Sequence, residues 1–158
     1  MHREGLPETI ARELIPLATV VTPNREEAET LSGTMVSDET SMQEAGYRIL
    51  DLGARAVLIK GGHLQGEVVK DVLFTEEGTL ELASPRMDRK VHGAGCTLSS
   101  FIATSLGMGM DVREAVMEAK RRIHDSIAMA LPVGEGLLAI NPMATLYKEA
   151  MRARVIEE

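Results

Sequence analysis

Two short apolar runs separated by two helical segments constrain this fold most. The runs are Ala18–Val21 and Ala56–Ile59, and short apolar runs without alternation are typical of parallel strands buried on both faces. Between them, cap residues predict one helix from Asn24 to Gly33 and a second from about Glu39 to Leu52. Strand, helix, helix, strand is the pattern of an α/β layered domain.

The remaining segments fit the same fold class. A helix with Pro7 in its first turn is predicted over Leu6–Leu17, with Ile10, Leu14 and Ile15 facing inward. An antiparallel hairpin is predicted from Val68–Phe74 and Thr79–Ala83. Later helices are predicted from Thr97 to about Leu106, from Asp111 to Ala130 as the longest, and from Asn141 or Pro142 through Tyr147. We expect residues 1–158 to form a single domain.

The run His92–Ser100 (HGAGCTLSS) is a small-residue turn that leads into an apolar helix. Gly93 and Gly95 let the backbone turn sharply, and the free N–H groups of the helix start attract a phosphate or a developing anion. Cys96 lies where the same field stabilises a thiolate. The residues alone leave two interpretations: an anion site with an acid–base group, or a glycine loop that caps a buried helix and a cysteine that only packs.

Two further polar positions directly follow the apolar runs. Asn24 and Lys60 therefore belong in the ligand crevice beyond the carboxyl ends of the strands. Asn24 and Glu27 form either a helix capping box or an oxygen-rich pair suited to Mg²⁺, and these roles are compatible. Lys60 is either a ligand contact or an edge lysine that extends to solvent.

Four motifs carry a family resemblance: TPNREE from Thr22, KGGH from Lys60, DVLF from Asp71, and HGAGCTLSS. In this order and spacing they resemble the ribokinase-like small-molecule kinases, and within them the hydroxymethylpyrimidine (phosphate) kinases of thiamine biosynthesis. The resemblance runs from about Leu14 to Tyr147. It implies a layered domain whose mainly parallel central sheet is flanked by helices, with ATP and Mg²⁺ as cofactors. The implied reaction is phosphorylation of 4-amino-5-hydroxymethyl-2-methylpyrimidine and its monophosphate.

The resemblance also implies residue roles. Cys96 would be the base that accepts the substrate hydroxyl proton; most of the superfamily has aspartate there, and cysteine is typical of the hydroxymethylpyrimidine kinases and some pyridoxal kinases. The other implied groups are an anion hole at Gly93, Ala94, Gly95 and Cys96, a nucleotide site at Thr22, Lys60, Gly61 and Gly62, and a metal site at Asn24 and Glu27. His63 and His92 adjoin these motifs, and either ligand contact or loop packing is open for them.

Complete members of the resembled family have a long N-terminal portion before the TPN segment. We therefore expect this chain to be the C-terminal, nucleotide-side part of such a kinase, with little or no activity alone. An uncovered sheet edge at Val20, Val21 and 57–59 would favour a homodimer or other self-association. The alternatives are a pyridoxal/pyridoxine kinase and a non-catalytic nucleotide-binding or assembly fragment.

Charge and cysteine content exclude other classes. A net charge of −7 argues against nucleic-acid binding. The single cysteine excludes an intrachain disulfide and fits a reducing cytosol. We expect a cytoplasmic protein with a small-molecule pyrimidine substrate and no membrane partner, since no membrane-length apolar run or leader is seen.

Overall fold

The computed structural model describes residues 5–63 and 66–154. They belong to two compact units, 1–86 and 87–158, which are described separately. Both units contain helices and strands, so the predicted α/β class is confirmed. The single domain over 1–158 stays a prediction.

The first unit opens with a helical segment whose pitch changes twice. Helix α1 spans Leu6–Thr9, a π-helical turn follows over Ile10–Leu14, and a 3₁₀ turn covers Ile15–Leu17. The helical span is as predicted. The inward position of Leu14 was wrong, because it is 59% exposed whereas Ile15 is buried. Changing the number of residues per turn moves side chains off a stripe calculated for 3.6 residues.

Helices α2 (Arg25–Ser32) and α3 (Glu39–Leu50) both begin at the predicted residues. α2 ends at Gly33, whose φ of 69° is the left-handed conformation that glycine adopts freely. α3 starts from a cap at Asp38, whose side chain accepts the Ser41 N–H at 2.8 Å. These two helices therefore follow from local cap chemistry.

A three-stranded sheet in the order β1-β2-β3 packs against α3. β1 is Ala56–Ile59, β2 is Val68–Thr75 and β3 is Gly78–Pro85, and both pairs are antiparallel. The hairpin prediction is confirmed. Phe74 is fully buried among residues of α3, where Gly46 has no side chain and lets the ring lie close.

Segment 18–23 differs from its prediction. It does not form a regular strand, and residues 18–21 are half-buried or exposed. It nevertheless runs parallel to β1 through a bridge between Val21 and Val57, and the N–H groups of Val21 and Leu58 donate to Ala56 O and Val21 O at 3.0 and 2.8 Å. β1 itself is buried along its length, so 57–59 is not an uncovered edge. Because antiparallel β2 covers the other side of β1, the mainly parallel sheet was a wrong expectation for the described strands.

The described residues of the second unit, 87–154, form three helices and two short parallel strands. Strands β4 (Val91–His92) and β5 (Leu138–Ala139) were not predicted, because two-residue strands have no periodicity. Helix α4 spans Ala94–Gly107, α5 spans Val112–Ala128 and α6 spans Ala144–Arg154. α5 is the longest helix described, as predicted. α4 begins before Thr97, and α6 begins after Asn141, whose side chain instead accepts the Met143 N–H at 3.1 Å.

Helix α6 leaves one apolar stripe exposed. We call it the α6 outer face, and its residues are 50–67% exposed: Met143, Leu146, Tyr147 and Met151. The first two residues of α6, Ala144 and Thr145, are buried. Among the described residues, no helix has the length and apolar character to cross a membrane.

Candidate functional site

The glycine turn of the second unit joins strand β4 directly to helix α4. Gly93 has a φ of 93°, a left-handed conformation that strains other residues and lets the helix begin at Ala94. The first intrahelical bond runs from the Thr97 N–H to Gly93 O, at 3.0 Å. Helix geometry therefore leaves the N–H groups of Ala94, Gly95 and Cys96 without acceptors inside the helix. This is the arrangement in which helix termini bind anions.

Cys96 lies in the first turn of α4 and is exposed. The predicted start at Thr97 was three residues late, because Gly93 permits an immediate turn. Cys96 is therefore not part of the buried core of the described residues, and its catalytic role stays a prediction. Two hydroxyls nearby bond back along the helix: Ser99 Oγ donates to Gly95 O at 3.1 Å, and Ser100 Oγ donates to Cys96 O at 2.9 Å.

Strand β5 fixes the turn from outside. The Leu138 N–H donates to Lys90 O at 3.1 Å, and the Ile140 N–H donates to His92 O at 3.3 Å. Ile140 Cγ2 lies 3.2 Å from where a Cβ of Gly93 would stand. The turn is therefore held by the backbone on one side and by a packed side chain on the other.

In the first unit, the predicted polar positions follow neighbouring chain segments. The Lys60 N–H donates to Pro23 O at 3.0 Å, which brings the residue after β1 beside the Thr22–Asn24 turn. Lys60 is half-buried, as is Thr22. This backbone bond brings Asn24 and Lys60 to the same end of two neighbouring segments; that both face a ligand crevice stays a prediction.

Asn24 and Glu27 form the complete capping box. Asn24 Oδ1 accepts the Glu27 N–H at 2.9 Å, and Glu27 Oε2 accepts the Asn24 N–H at 2.7 Å. The capping interpretation is therefore confirmed. The described residues contain no group of three or more His, Cys, Asp or Glu side chains that could hold a metal ion. Mg²⁺ needs no such cage, because it keeps several waters and takes one or two carboxylates together with substrate phosphates. The exposed Glu27 carboxylate fits that donor chemistry.

A cavity of about 530 Å³ opens beside this turn. Thr22, Asn24 and Glu27 line it together with apolar side chains that include Leu6 and Leu31. Three of the predicted ligand residues of the first unit therefore face one space.

The glycines after Lys60 differ in their surroundings. A Cβ on Gly61 would lie 1.8 Å from the backbone oxygen of Lys70, whereas a Cβ on Gly62 would meet nothing within 4 Å. Position 61 therefore requires glycine, because the backbone of β2 lies too close for a side chain, whereas position 62 has room for one. The side chain of His63 lies outside the described residues, and His92 is exposed.

Two residues without a predicted role contact the turn formed by Gly61 and Gly62 after β1. Asp71 Oδ1 accepts the Gly61 N–H at 2.9 Å, and Arg86 Nη1 donates to Gly62 O at 2.8 Å. The available signal was Asp71 itself, an acidic residue next to the apolar run Val72-Leu73-Phe74. Arg86 gave no comparable signal.

Comparison with known proteins identifies relatives at the level of sequence. The model of the phosphomethylpyrimidine kinase family matches residues 1–141. The chain is 46% identical over 138 residues to the thiamine biosynthesis bifunctional protein ThiED of Geobacter sulfurreducens, covering 87% of this chain and 28% of the relative. It is 42% identical over 131 residues to the hydroxymethylpyrimidine/phosphomethylpyrimidine kinase of Streptomyces coelicolor, covering 82% of this chain and 48% of that protein. The chain thus spans about half or less of the length of these relatives.

Solved structures agree on the fold. The ADP complex of Bacillus subtilis pyridoxal kinase superposes with a TM-score of 0.87 at 35% identity, covering 93% of this chain and 58% of that one. A Staphylococcus aureus pyridoxal kinase in complex with AMP-PCP and pyridoxal gives 0.87 at 31% identity, covering 91% and 55%. With the family model matching most of its length, this chain belongs to the phosphomethylpyrimidine kinase family and has the ribokinase-like fold.

Proposed function

We propose that this chain is the nucleotide-side part of an ATP-dependent kinase that phosphorylates 4-amino-5-hydroxymethyl-2-methylpyrimidine and its monophosphate. The observation that carries the proposal is the turn from β4 into α4, with three N–H groups at the helix start and an exposed Cys96 in the same turn. The names of the relatives support the substrate class. Neighbouring structures with ADP and AMP-PCP support the use of ATP.

The helix start supplies electrostatic stabilisation for phosphoryl transfer. The N–H groups of Ala94, Gly95 and Cys96 would donate to the oxygens of the transferring phosphoryl group, where negative charge is held in the transition state. Each preformed donor of this kind typically lowers a barrier by about 3–4 kcal/mol. Gly93 and Gly95 would let the phosphoryl group approach this backbone.

Cys96 is the proposed general base. Its Sγ would accept the proton of the hydroxymethyl group while that oxygen forms a bond to the γ-phosphorus and the bond to the β-phosphate oxygen breaks. The products are the phosphate ester and ADP, and the thiol returns its proton to solvent.

The first unit would bind the nucleotide. Lys60 would neutralise charge on its phosphates. Gly61 and Gly62 would contact the nucleotide from the turn after β1, and Thr22 would contact it from the neighbouring segment before α2. Glu27, with Asn24 beside it, would hold Mg²⁺ through its waters. Bound Mg²⁺ neutralises phosphate charge. Capping and metal binding coexist, because each carboxylate has two oxygens.

Pyridoxal is a second candidate substrate, because the superposing structures cited above are pyridoxal kinases. Their identities of 31% and 35% are lower than the 42% and 46% of the thiamine-pathway relatives. A third possibility is a non-catalytic nucleotide-binding fragment, which the half-length span favours.

A substrate panel separates these functions. The natural protein that carries this chain, expressed from its full reading frame, would be assayed for phosphate transfer from ATP to the hydroxymethylpyrimidine, its monophosphate and pyridoxal. We expect the highest kcat/KM with the pyrimidines. A higher kcat/KM for pyridoxal would replace the proposed substrate, and ATP binding without transfer to any of the three would support the non-catalytic reading. The 158-residue chain alone is expected to transfer little or no phosphate.

A further inference from the structure

Asp71 is a buried acid in the middle of strand β2. Its residue is 4% exposed, and its neighbours Leu73 and Phe74 on the strand are fully buried. Burying a carboxylate is costly unless hydrogen-bond donors compensate it. One such donor is the Gly61 N–H, 2.9 Å from Asp71 Oδ1. A charged residue in this position therefore has a specific contact with the turn after β1.

That turn, Lys60-Gly61-Gly62, is here called the KGG turn. Gly61 is buried and lies so close to β2 that a Cβ would be 1.8 Å from Lys70 O. The Gly61 N–H belongs to the peptide that joins Lys60 to Gly61, so its direction reports the orientation of that peptide. Asp71 fixes that direction by accepting the N–H.

Arg86, which follows β3, contacts the same turn. Its Nη1 donates to Gly62 O at 2.8 Å and its Nε donates to Gly66 O at 2.6 Å. Two successive residues of the KGG turn are therefore held from the β2–β3 side: Asp71 accepts the Gly61 N–H, and Arg86 donates to Gly62 O.

We infer that Asp71 and Arg86 are positioning residues that hold the KGG turn in its nucleotide-binding conformation. The inference rests on the proposed function, in which Lys60 binds the nucleotide phosphates and Gly62 contacts the nucleotide. Neither side chain needs to touch the nucleotide. Asp71 sets the peptide between Lys60 and Gly61, and Arg86 sets the peptide after Gly62.

Two measurements on the complete protein test this inference. Hydrogen exchange at Gly61, by NMR or by mass spectrometry of peptides that cover 59–63, reports the turn itself. Calorimetric binding of ADP, together with KM for ATP and for the pyrimidine, reports its use. The variants are Asp71→Ala, Asp71→Asn, Arg86→Ala and Val72→Ala. Val72 is the matched control, because it is the next residue on β2, packs against the core and makes no side-chain hydrogen bond to the turn.

Removing the acceptor leaves a buried N–H unsatisfied. In Asp71→Ala we expect Gly61 exchange about tenfold faster and ADP binding about tenfold weaker. KM for ATP should rise, with KM for the pyrimidine unchanged. Asp71→Asn keeps an Oδ1 acceptor and should stay within about threefold of wild type. Arg86→Ala, whose side chain is exposed, should weaken ADP binding about threefold and provides the test if Asp71→Ala does not fold.

Three results would overturn the inference. One is unchanged Gly61 exchange in Asp71→Ala. The second is equal loss of ADP affinity in Val72→Ala, which would make the effect a general loss of stability. The third is full ADP affinity in both Asp71→Ala and Arg86→Ala while Lys60→Met loses it. Failure of the wild-type protein to bind ADP would refute the proposed nucleotide site and with it the nucleotide part of this inference. The Gly61 exchange rates would still show whether Asp71 and Arg86 stabilise the KGG turn.

Discussion

Substituting Gly61 by alanine tests how closely the KGG turn lies against the sheet. The added Cβ would stand 1.8 Å from Lys70 O and 2.8 Å from Lys70 C, both backbone atoms of β2. β2 is paired to β3 at this residue, with Lys70 opposite Ala83. The obstacle is therefore not the end of a flexible side chain that could rotate away.

The cost follows from two effects. Overpacking a well-packed site typically costs about 1–3 kcal/mol. Moving the turn away from β2 also lengthens the Gly61 bond to Asp71, and an unsatisfied buried donor costs about 1–3 kcal/mol. The two effects share one displacement and do not add fully. We expect Gly61→Ala to lower the free energy of unfolding by about 2–4 kcal/mol, or Tm by about 5–15 °C.

Urea and thermal unfolding measure this loss, and the neighbouring glycine is the control. A Cβ at Gly62 would meet nothing within 4 Å, so Gly62→Ala should stay within about 0.5 kcal/mol of wild type. The chain has two tyrosines, and a Tyr147→Phe background leaves Tyr47, whose ring is 5.4 Å from that of Phe74, to report the first unit by fluorescence. If Gly61→Ala matched Gly62→Ala in stability, the close approach and the argument built on it would be refuted.

Three further predictions concern the cap, an ion pair and a surface. Glu27→Gln keeps an oxygen for the capping bond, so Tm should stay within about 2 °C of wild type, while Mg²⁺-dependent ADP binding should weaken. Asn24→Ala removes the capping acceptor and should lower the free energy of unfolding by about 1 kcal/mol. The pKa of Glu118 is lowered from 4.5 to about 2, chiefly because Arg121 donates to it, with Arg122 adding a second bond. The contribution of Glu118 to the free energy of unfolding is therefore present above pH 4.5 and lost as pH falls toward 2, and with solvent screening it is about 1 kcal/mol. Glu118→Gln should remove this pH dependence of stability over that range. The α6 outer face predicts that the 158-residue chain self-associates in light scattering, and a monodisperse monomer that binds no apolar dye would exclude this.

Local chemistry made several elements predictable. The capping box at Asn24 and the left-handed Gly33 define α2 within a residue at each end. The continuous apolar run at Ala56–Ile59 gave a strand that is buried on both faces. Glu118 and Arg122 are four residues apart on α5, a spacing at which helical side chains meet, and they form an ion pair at 2.6 Å.

Other features depend on contacts distant in sequence. Residues 18–21 lie beside β1 but are half-buried or exposed, because burial is decided by what covers a segment and not by its own residues. The start of α4 depends on the left-handed Gly93. The role of Asp71 emerges only when β2 is placed beside the turn after β1, because ten residues separate it from Gly61.

The turnover of Cys96→Ser in the natural protein tests the central claim most directly. Phosphate transfer from ATP to the hydroxymethylpyrimidine would be measured beside Ser100→Ala, whose hydroxyl bonds to Cys96 O one turn away. If Cys96 is the base at the anion-binding turn, Cys96→Ser loses about 10²–10⁴-fold in kcat, ADP affinity is unchanged, and Ser100→Ala stays near wild type. A Cys96→Ser enzyme with wild-type turnover would contradict the account.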